Sequence, residues 1–302
     1  MRRREFLIGA AAAAGLAGTR SGWAQMRDQA KLARVAIMSL SFGSILKSPN
    51  QSDNAARTLD VMDLGEMYAD KYGVYNVEMQ HAHFLSTETA WLKDFRSRLA
   101  KTKSQVTNIN LEFGPQNISA VDPELRQQAV DRTRQWIDYA VVLGCPRIMV
   151  NQGAPTPENK ELAIAALKAM GDYGKSKNIK VAMENRGGGG ARGGATPAPP
   201  PNPPAYILLV EIMKGSGTWA NCDLGNFPDQ ETQHAGMRAM FPITDGNCHV
   251  KLNPQRYDLP TALRLTTELG YTGLYSIEAG GAMGTDPHEN VKRIYDVLLA
   301  SM

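Results

Sequence analysis

Short apolar, β-branched runs alternate along this chain with longer segments whose apolar positions recur at helical spacing. The runs at 34–39, 74–79, 105–111, 146–150, 179–184, 218–223, 246–251 and 273–278 predict strands. The spacing between them predicts helices near 55–72, 88–102, 122–144, 157–177, 205–214, 228–240, 258–268 and 287–301. Start signals stand at Asp122-Pro123, Thr156-Pro157 and Asp286-Pro287, and the third and fourth helices are expected to stop near Gly144 and Gly174. A strand-then-helix unit repeated in this way predicts an α/β fold: a single-domain (β/α)8 TIM barrel with a parallel, buried sheet. A doubly wound sheet is the second choice.

Two segments break the rhythm. At the start, Arg2-Arg3-Arg4-Glu5 precedes the apolar run Phe6–Gly18, and Gly22-Trp23-Ala24 follows. A charged region, a short apolar stretch and small residues at a cleavage position predict a signal peptide over 1–24. The pattern Arg3-Arg4-x-Phe6-Leu7 resembles a twin-arginine export signal, so the protein is expected to be periplasmic or secreted. Later, residues 187–204 are almost all Gly, Pro and Ala. This stretch offers little to bury and is expected as a flexible insertion after the fifth strand, either inert or a rim over the site.

Composition narrows the function classes. The chain has 302 residues, 43% hydrophobic and 21% charged, in the range of globular proteins. The net charge of +3 belongs entirely to the expected signal, which leaves residues 25–302 neutral and argues against binding to a phosphate backbone. No stretch reaches the roughly 18 apolar residues of a membrane span, so no membrane association is expected after cleavage. Three cysteines, Cys145, Cys222 and Cys248, are too few and too scattered for a disulfide scaffold or a thiolate zinc cluster. Nothing sets the oligomeric state, and a homo-oligomer stays open.

In such a barrel, polar residues at the C-terminal ends of strands converge on the ligand site. Here the second strand ends at Glu78, the fifth at Glu184, the sixth at Asp223 and the eighth at Glu278, while the seventh carries His249. An unpaired charge in such an apolar run costs on the order of several kcal/mol if it faces the core. One divalent metal would compensate Glu184, Asp223, His249 and Glu278. The mixed oxygen and nitrogen set suits Mn²⁺ first, with Mg²⁺, Co²⁺ or Zn²⁺ as alternatives. Lys251, two residues beyond His249, falls on the same side of its strand. It could hold a substrate oxygen, donate a proton or pair with a carboxylate. Cys222 and Cys248 flank the ligands and are expected to face outward under the helices.

The motifs Met183-Glu184-Asn185-Arg186-Gly187, Asn221-Cys222-Asp223-Leu224-Gly225-Asn226, His249-Val250-Lys251 and Ser276-Ile277-Glu278 occur in that order on successive expected strands. Together they resemble the xylose-isomerase-like TIM-barrel superfamily of sugar isomerases and epimerases. Val77-Glu78, followed by His81 and His83, is similar to that family's second-strand motif, in which a Glu and a nearby His face the substrate. The resemblance implies that Glu184, Asp223, His249 and Glu278 hold the metal and that Glu184 and Glu278 double as the acid/base pair. It also implies substrate contacts for Glu78, His81, His83, Arg186 and Asn226. Because His81 and His83 alternate about Ala82, one of the two is expected to face the site. Many relatives carry His where this chain has Arg186 and Asn226, so the substrate of any one relative does not transfer.

The expected activity is that of a metal-dependent isomerase or epimerase. It would act on a small carbohydrate, an unphosphorylated sugar or keto-sugar, by removing a proton next to a carbonyl and passing through an enediolate. A lyase or dehydratase acting on a 3-keto-glycoside would use the same groups. A non-catalytic sugar-binding protein and an apurinic endonuclease are weaker alternatives. The endonuclease would need more histidines and a basic surface, and no nucleic-acid partner is expected.

Overall fold

The structure, a computed structural model, describes residues 29–47, 49, 55–186, 204–280 and 286–302. The expected signal at 1–24 and, apart from its last residue, the expected insertion at 187–204 lie outside the described residues. Strands β1 (Val35–Met38), β2 (Asn76–Gln80), β3 (Gln105–Asn110), β4 (Arg147–Val150), β5 (Lys180–Glu184), β6 (Trp219–Asp223), β7 (Thr244–Val250) and β8 (Leu274–Ile277) run parallel in sequence order. The barrel closes where β8 pairs with β1, which excludes the doubly wound alternative. The helices that follow the strands in turn are α1 (Leu64–Tyr72), α2 (Thr89–Lys101), α3 (Pro123–Leu143), α4 (Lys160–Ser176), α5 (Ala205–Ser216), α6 (Gln230–Met240), α7 (Leu259–Glu268) and α8 (Pro287–Ser301).

Local chemistry sets these boundaries. Asp122 begins α3 by accepting the Glu124 N–H, with Pro123 supplying a fixed φ at the first helical position; Asp229, Asp258 and Asp286 likewise accept a first-turn N–H at the starts of α6, α7 and α8. Gly144 ends α3 at φ +73°, a conformation that costs glycine little. Two expected starts move. α4 begins at Lys160 rather than at Thr156-Pro157, because Asn159 Oδ1 accepts the Thr156 N–H at 2.7 Å and closes a turn ahead of the helix. α1 begins at Leu64 rather than near 55, after a 3₁₀ turn over Val61–Asp63 and an isolated bridge between Leu46 and Leu59.

The apolar core lies between the strands and the helix ring. Val77, Met79, Ile109, Val181, Met183 and Ile277 belong to it, as do Cys222 and Cys248, which sit opposite each other on β6 and β7. The alternate positions, Asn76, Glu78, Gln80, Asn108, Asn110, Asn221 and Asn247, are buried and polar. Asn247 on β7 donates to Glu78 on β2 at 3.0 Å. These strands are not neighbours, so the bond must cross the barrel. The interior is thus a polar layer tied by amide side chains, with the ligand-bearing ends above it.

Candidate functional site

β5, β6, β7 and the residue after β8 bring Glu184, Asp223, His249 and Glu278 together, with one ligand atom from each lying within 4.8 Å of the others. Among the described residues this is the one group of His, Cys, Asp and Glu side chains arranged to hold a metal ion. His249 Nδ1 is at its centre, 2.7 Å from Glu184 Oε1, 3.2 Å from Glu278 Oε2 and 3.9 Å from Asp223 Oδ2. The ladder positions it: Asp223 pairs in register with His249, and the Leu224 N–H donates to the His249 carbonyl at 3.0 Å. Asn185 clamps the backbone of Asp223 from both sides, accepting its N–H at 2.6 Å and donating to its carbonyl at 3.0 Å. Glu278 is held by its own N–H, which donates to Val250 O.

Lys251 closes one side. Its ammonium stands 2.6 Å from Asp223 Oδ2 and 3.2 Å from Glu278 Oε1, and it donates to Asn226 Oδ1 at 3.1 Å. Arg186 closes the other, donating from Nε to Glu184 Oε2 at 2.7 Å and pairing with Glu112. Glu112, which no motif marked, follows β3. Its N–H also donates to His81 Nδ1 at 3.1 Å, so His81 reaches the site only through Glu112 and Arg186. His83 instead shares a hydrogen bond with Ser39 Oγ at 2.9 Å. The two histidines lie in a 3₁₀ turn, His81–His83, so the strand-like alternation expected for them does not apply. Glu78 has no exposed surface and meets His249 Nε2 at 2.8 Å.

Electrostatics separates the two glutamates that flank the imidazole. Burial pushes the Glu184 carboxyl up to about 7, against the opposing pull of the hydrogen bond from His249. Burial also acts on Glu278, but there Lys251 and His249 outweigh it and hold the carboxyl below its ordinary range. Burial alone would lower His249 and Lys251; the surrounding carboxylates raise both. Burial lowers His81 and His83 to about 4, helped by Arg132 and Arg57 respectively, so both rings are neutral near pH 7.

The residues present fit a divalent cation. Asp223 is fully buried with Oδ2 met by the Lys251 ammonium, a position a cation could share, and three carboxylates with one imidazole make a hard oxygen and nitrogen donor set. A cavity of about 300 Å³ opens beside Lys251 and Glu278 and is bounded by Asn253, Asn290 and Arg293. A smaller one, about 160 Å³, lies between α1 and α2 near Met62 and Arg98 and contains none of these groups.

The sequence model of the xylose isomerase-like TIM barrel family matches residues 68–198. No curated protein sequence matches the chain significantly. Among solved structures the chain is similar to an L-ribulose 3-epimerase, with 15% identity and a TM-score of 0.68 over 89% of this chain and 94% of that one. It is also similar to D-psicose 3-epimerase from Clostridium cellulolyticum, solved with D-tagatose, at 12% identity and a TM-score of 0.65 over 89% and 96% of the two chains. A xylose isomerase-like TIM barrel protein from Mycobacterium smegmatis, in complex with magnesium, shows 19% identity and a TM-score of 0.60 over 90% and 98%. At these identities the likeness is one of fold.

Proposed function

We propose that the protein is a divalent-metal-dependent sugar isomerase or epimerase that moves a proton next to the carbonyl of an unphosphorylated sugar or keto-sugar. The observation that carries this reading is the convergence of Glu184, Asp223, His249 and Glu278, with ligand atoms within 4.8 Å of one another and the carboxylates of Glu184 and Glu278 both meeting His249 Nδ1. A cation held by Glu184, Asp223, His249 and Glu278, with Mn²⁺ the first choice, would act as a Lewis acid toward substrate oxygens and acidify the intervening C–H. Glu184 and Glu278 are then the two carboxylates that would remove the proton and return it. Their entry from β5 and from beyond β8 places them at the two ends of the four-strand arc that carries the site. Arg186 occupies Glu184 Oε2 and leaves Oε1 directed inward. Lys251 keeps its charge and is a hydrogen-bond donor for a substrate oxygen entering from the adjoining cavity. The solved epimerases of the same fold, one of them bound to D-tagatose, support a carbohydrate substrate.

The test is incubation with unphosphorylated keto-sugars and 3-keto-glycosides in D₂O with Mn²⁺. Deuterium should enter the carbon beside the carbonyl together with a new epimer or isomer, and Glu184→Gln or Glu278→Gln should abolish both. An elimination product without an epimer would make the enzyme a lyase. Absence of exchange with every sugar would leave a binding protein and end the enzymatic reading. The export reading is tested separately: replacing Arg3 and Arg4 together by Lys is expected to retain the protein in the cytoplasm.

A further inference from the structure

Glu78 was expected to meet substrate, yet neither it nor His249 has any exposed surface. Its two oxygens are fully engaged by protein donors. Oε1 takes His249 Nε2 at 2.8 Å and Asn108 Nδ2 at 3.0 Å, and Oε2 takes Asn247 Nδ2 at 3.0 Å. Asn247 is itself bonded to Asn221 Oδ1 at 2.9 Å, which ties the group to β6. A carboxylate placed this deep carries a large desolvation penalty, which the His249 ring offsets together with the amides of Asn108 and Asn247. What the arrangement adds is a fixed proton on one ring nitrogen: with Nε2–H directed at Glu78, it is Nδ1, facing Glu184, Asp223 and Glu278, that would give up its proton and turn its lone pair to an entering cation.

We propose that Glu78 is a positioning residue for the metal site, holding His249 in the tautomer and ring orientation that present Nδ1 to the cation. The inference rests on the metal-site reading above. Carboxylates behind a ligating histidine raise its basicity and lock its ring, and their loss typically weakens metal binding 10- to 100-fold. Asn108 and Asn247 in turn hold the carboxylate from β3 and β7, so the orientation of the ligand is set by three strands at once.

The experiment measures Mn²⁺ dissociation constants, from the resonance signal of free Mn²⁺, for the wild-type protein, Glu78→Gln and Glu78→Leu. Each metal-free protein is also melted. Glu78→Gln keeps the shape and an acceptor oxygen, and is expected to bind Mn²⁺ about 10-fold more weakly; Glu78→Leu should approach 100-fold. In the Zn²⁺-loaded protein with ¹⁵N-labelled histidine, the proton should sit on His249 Nε2 in the wild type and lose that single position in Glu78→Leu. A purely structural Glu78 would lower the melting midpoint of the metal-free variants and leave the Mn²⁺ constant of folded Glu78→Gln at the wild-type value, which would overturn the proposal. If Glu78→Leu does not fold, Glu78→Gln decides alone. Failure of the wild type to bind Mn²⁺ would remove the metal site and this role with it, whereas equal binding by wild type and Glu78→Gln would remove only the role.

Discussion

Glu184 and Glu278 touch the same imidazole nitrogen, but Lys251 stands 3.2 Å from Glu278, and together with His249 it reverses there the effect of burial that prevails at Glu184. The consequence is a pH dependence of definite sign. In the metal-free protein Glu184, raised to about 7, contributes stability that is complete below the ordinary carboxylate range and lost as the pH rises toward 7. Glu278, held low, contributes stability that is present above the ordinary range and lost only in stronger acid. A cation must displace the proton on Glu184 and the one on His249 Nδ1, so its affinity is expected to rise about tenfold per pH unit for each proton released below pH 7. Mn²⁺ titrations between about pH 6 and 8 check this, and a flat profile would contradict it. Lys251→Met keeps the length of the stem and removes the charge beside Asp223 and Glu278. The lysine side chain is 25% exposed, so the metal-free protein should lose roughly 1–3 kcal/mol, less than for a fully buried pair. Mn²⁺ should restore most of the loss. Urea melts with and without Mn²⁺ measure both, and equal losses would show that Lys251 does not stand in for the cation.

The element that decides the site's register is β7. Between Ala220/Thr244 and Cys222/Cys248 the pairing with β6 shifts, so β7 spans four residues where β6 spans two. Gly246 lies in this irregularity at φ +75°, and a Cβ there would overlap the guanidinium of Arg147, which donates to Asp245 O and Thr107 O beneath the barrel. Only glycine holds that conformation cheaply, and the extra residues turn Asn247 and His249 inward with Cys248 outward. Gly246→Ala is expected to cost about 1–3 kcal/mol and to weaken Mn²⁺ binding, because the strain sits three residues from His249. Denaturant midpoints and metal titration would show it; an unchanged midpoint would mean that the strand absorbs the substitution. Helix starts obey more local rules. Asp122→Ala should cost about 1 kcal/mol, since it removes the acceptor of the Glu124 N–H at the start of α3 and nothing else.

Over the whole molecule, the barrel divides into a dry apolar shell under the helices and a polar interior in which Glu78, Asn108, Asn247 and His249 bond across the axis. Such a core stores repulsion among carboxylates that a cation would relieve, so metal and fold stability are coupled. With free Mn²⁺ at a hundred times its dissociation constant the folded state should gain about 2.7 kcal/mol, which raises the melting midpoint by roughly 5–10 °C for a chain of this size. Chelator should reverse the shift. A midpoint indifferent to both would show that the four side chains are satisfied without an ion.

The strands, the helices and the polar residues at the strand ends were legible because each depends on neighbours a few positions away: an apolar run, a 3.6-residue period, an Asp before a Pro. Those ends, read with the resemblance to a known family, indicated Glu184, Asp223, His249 and Glu278 as a group, since consecutive parallel strands must deliver their last residues to one rim. It could not decide what Glu78 does. The partner of Glu78, His249, lies on a strand far away in sequence, and only closure of the barrel lets β2 and β7 face each other across the axis. The same holds for Arg186, whose partner Glu112 arrives from the end of β3, and for His81 and His83, whose 3₁₀ turn replaces the alternation of a strand. Periodicity assigns a side chain to a face. Which charges then meet is settled by the curvature that joins the first strand to the last, because Coulomb and hydrogen-bond energies depend on separation in space and carry no trace of separation along the chain.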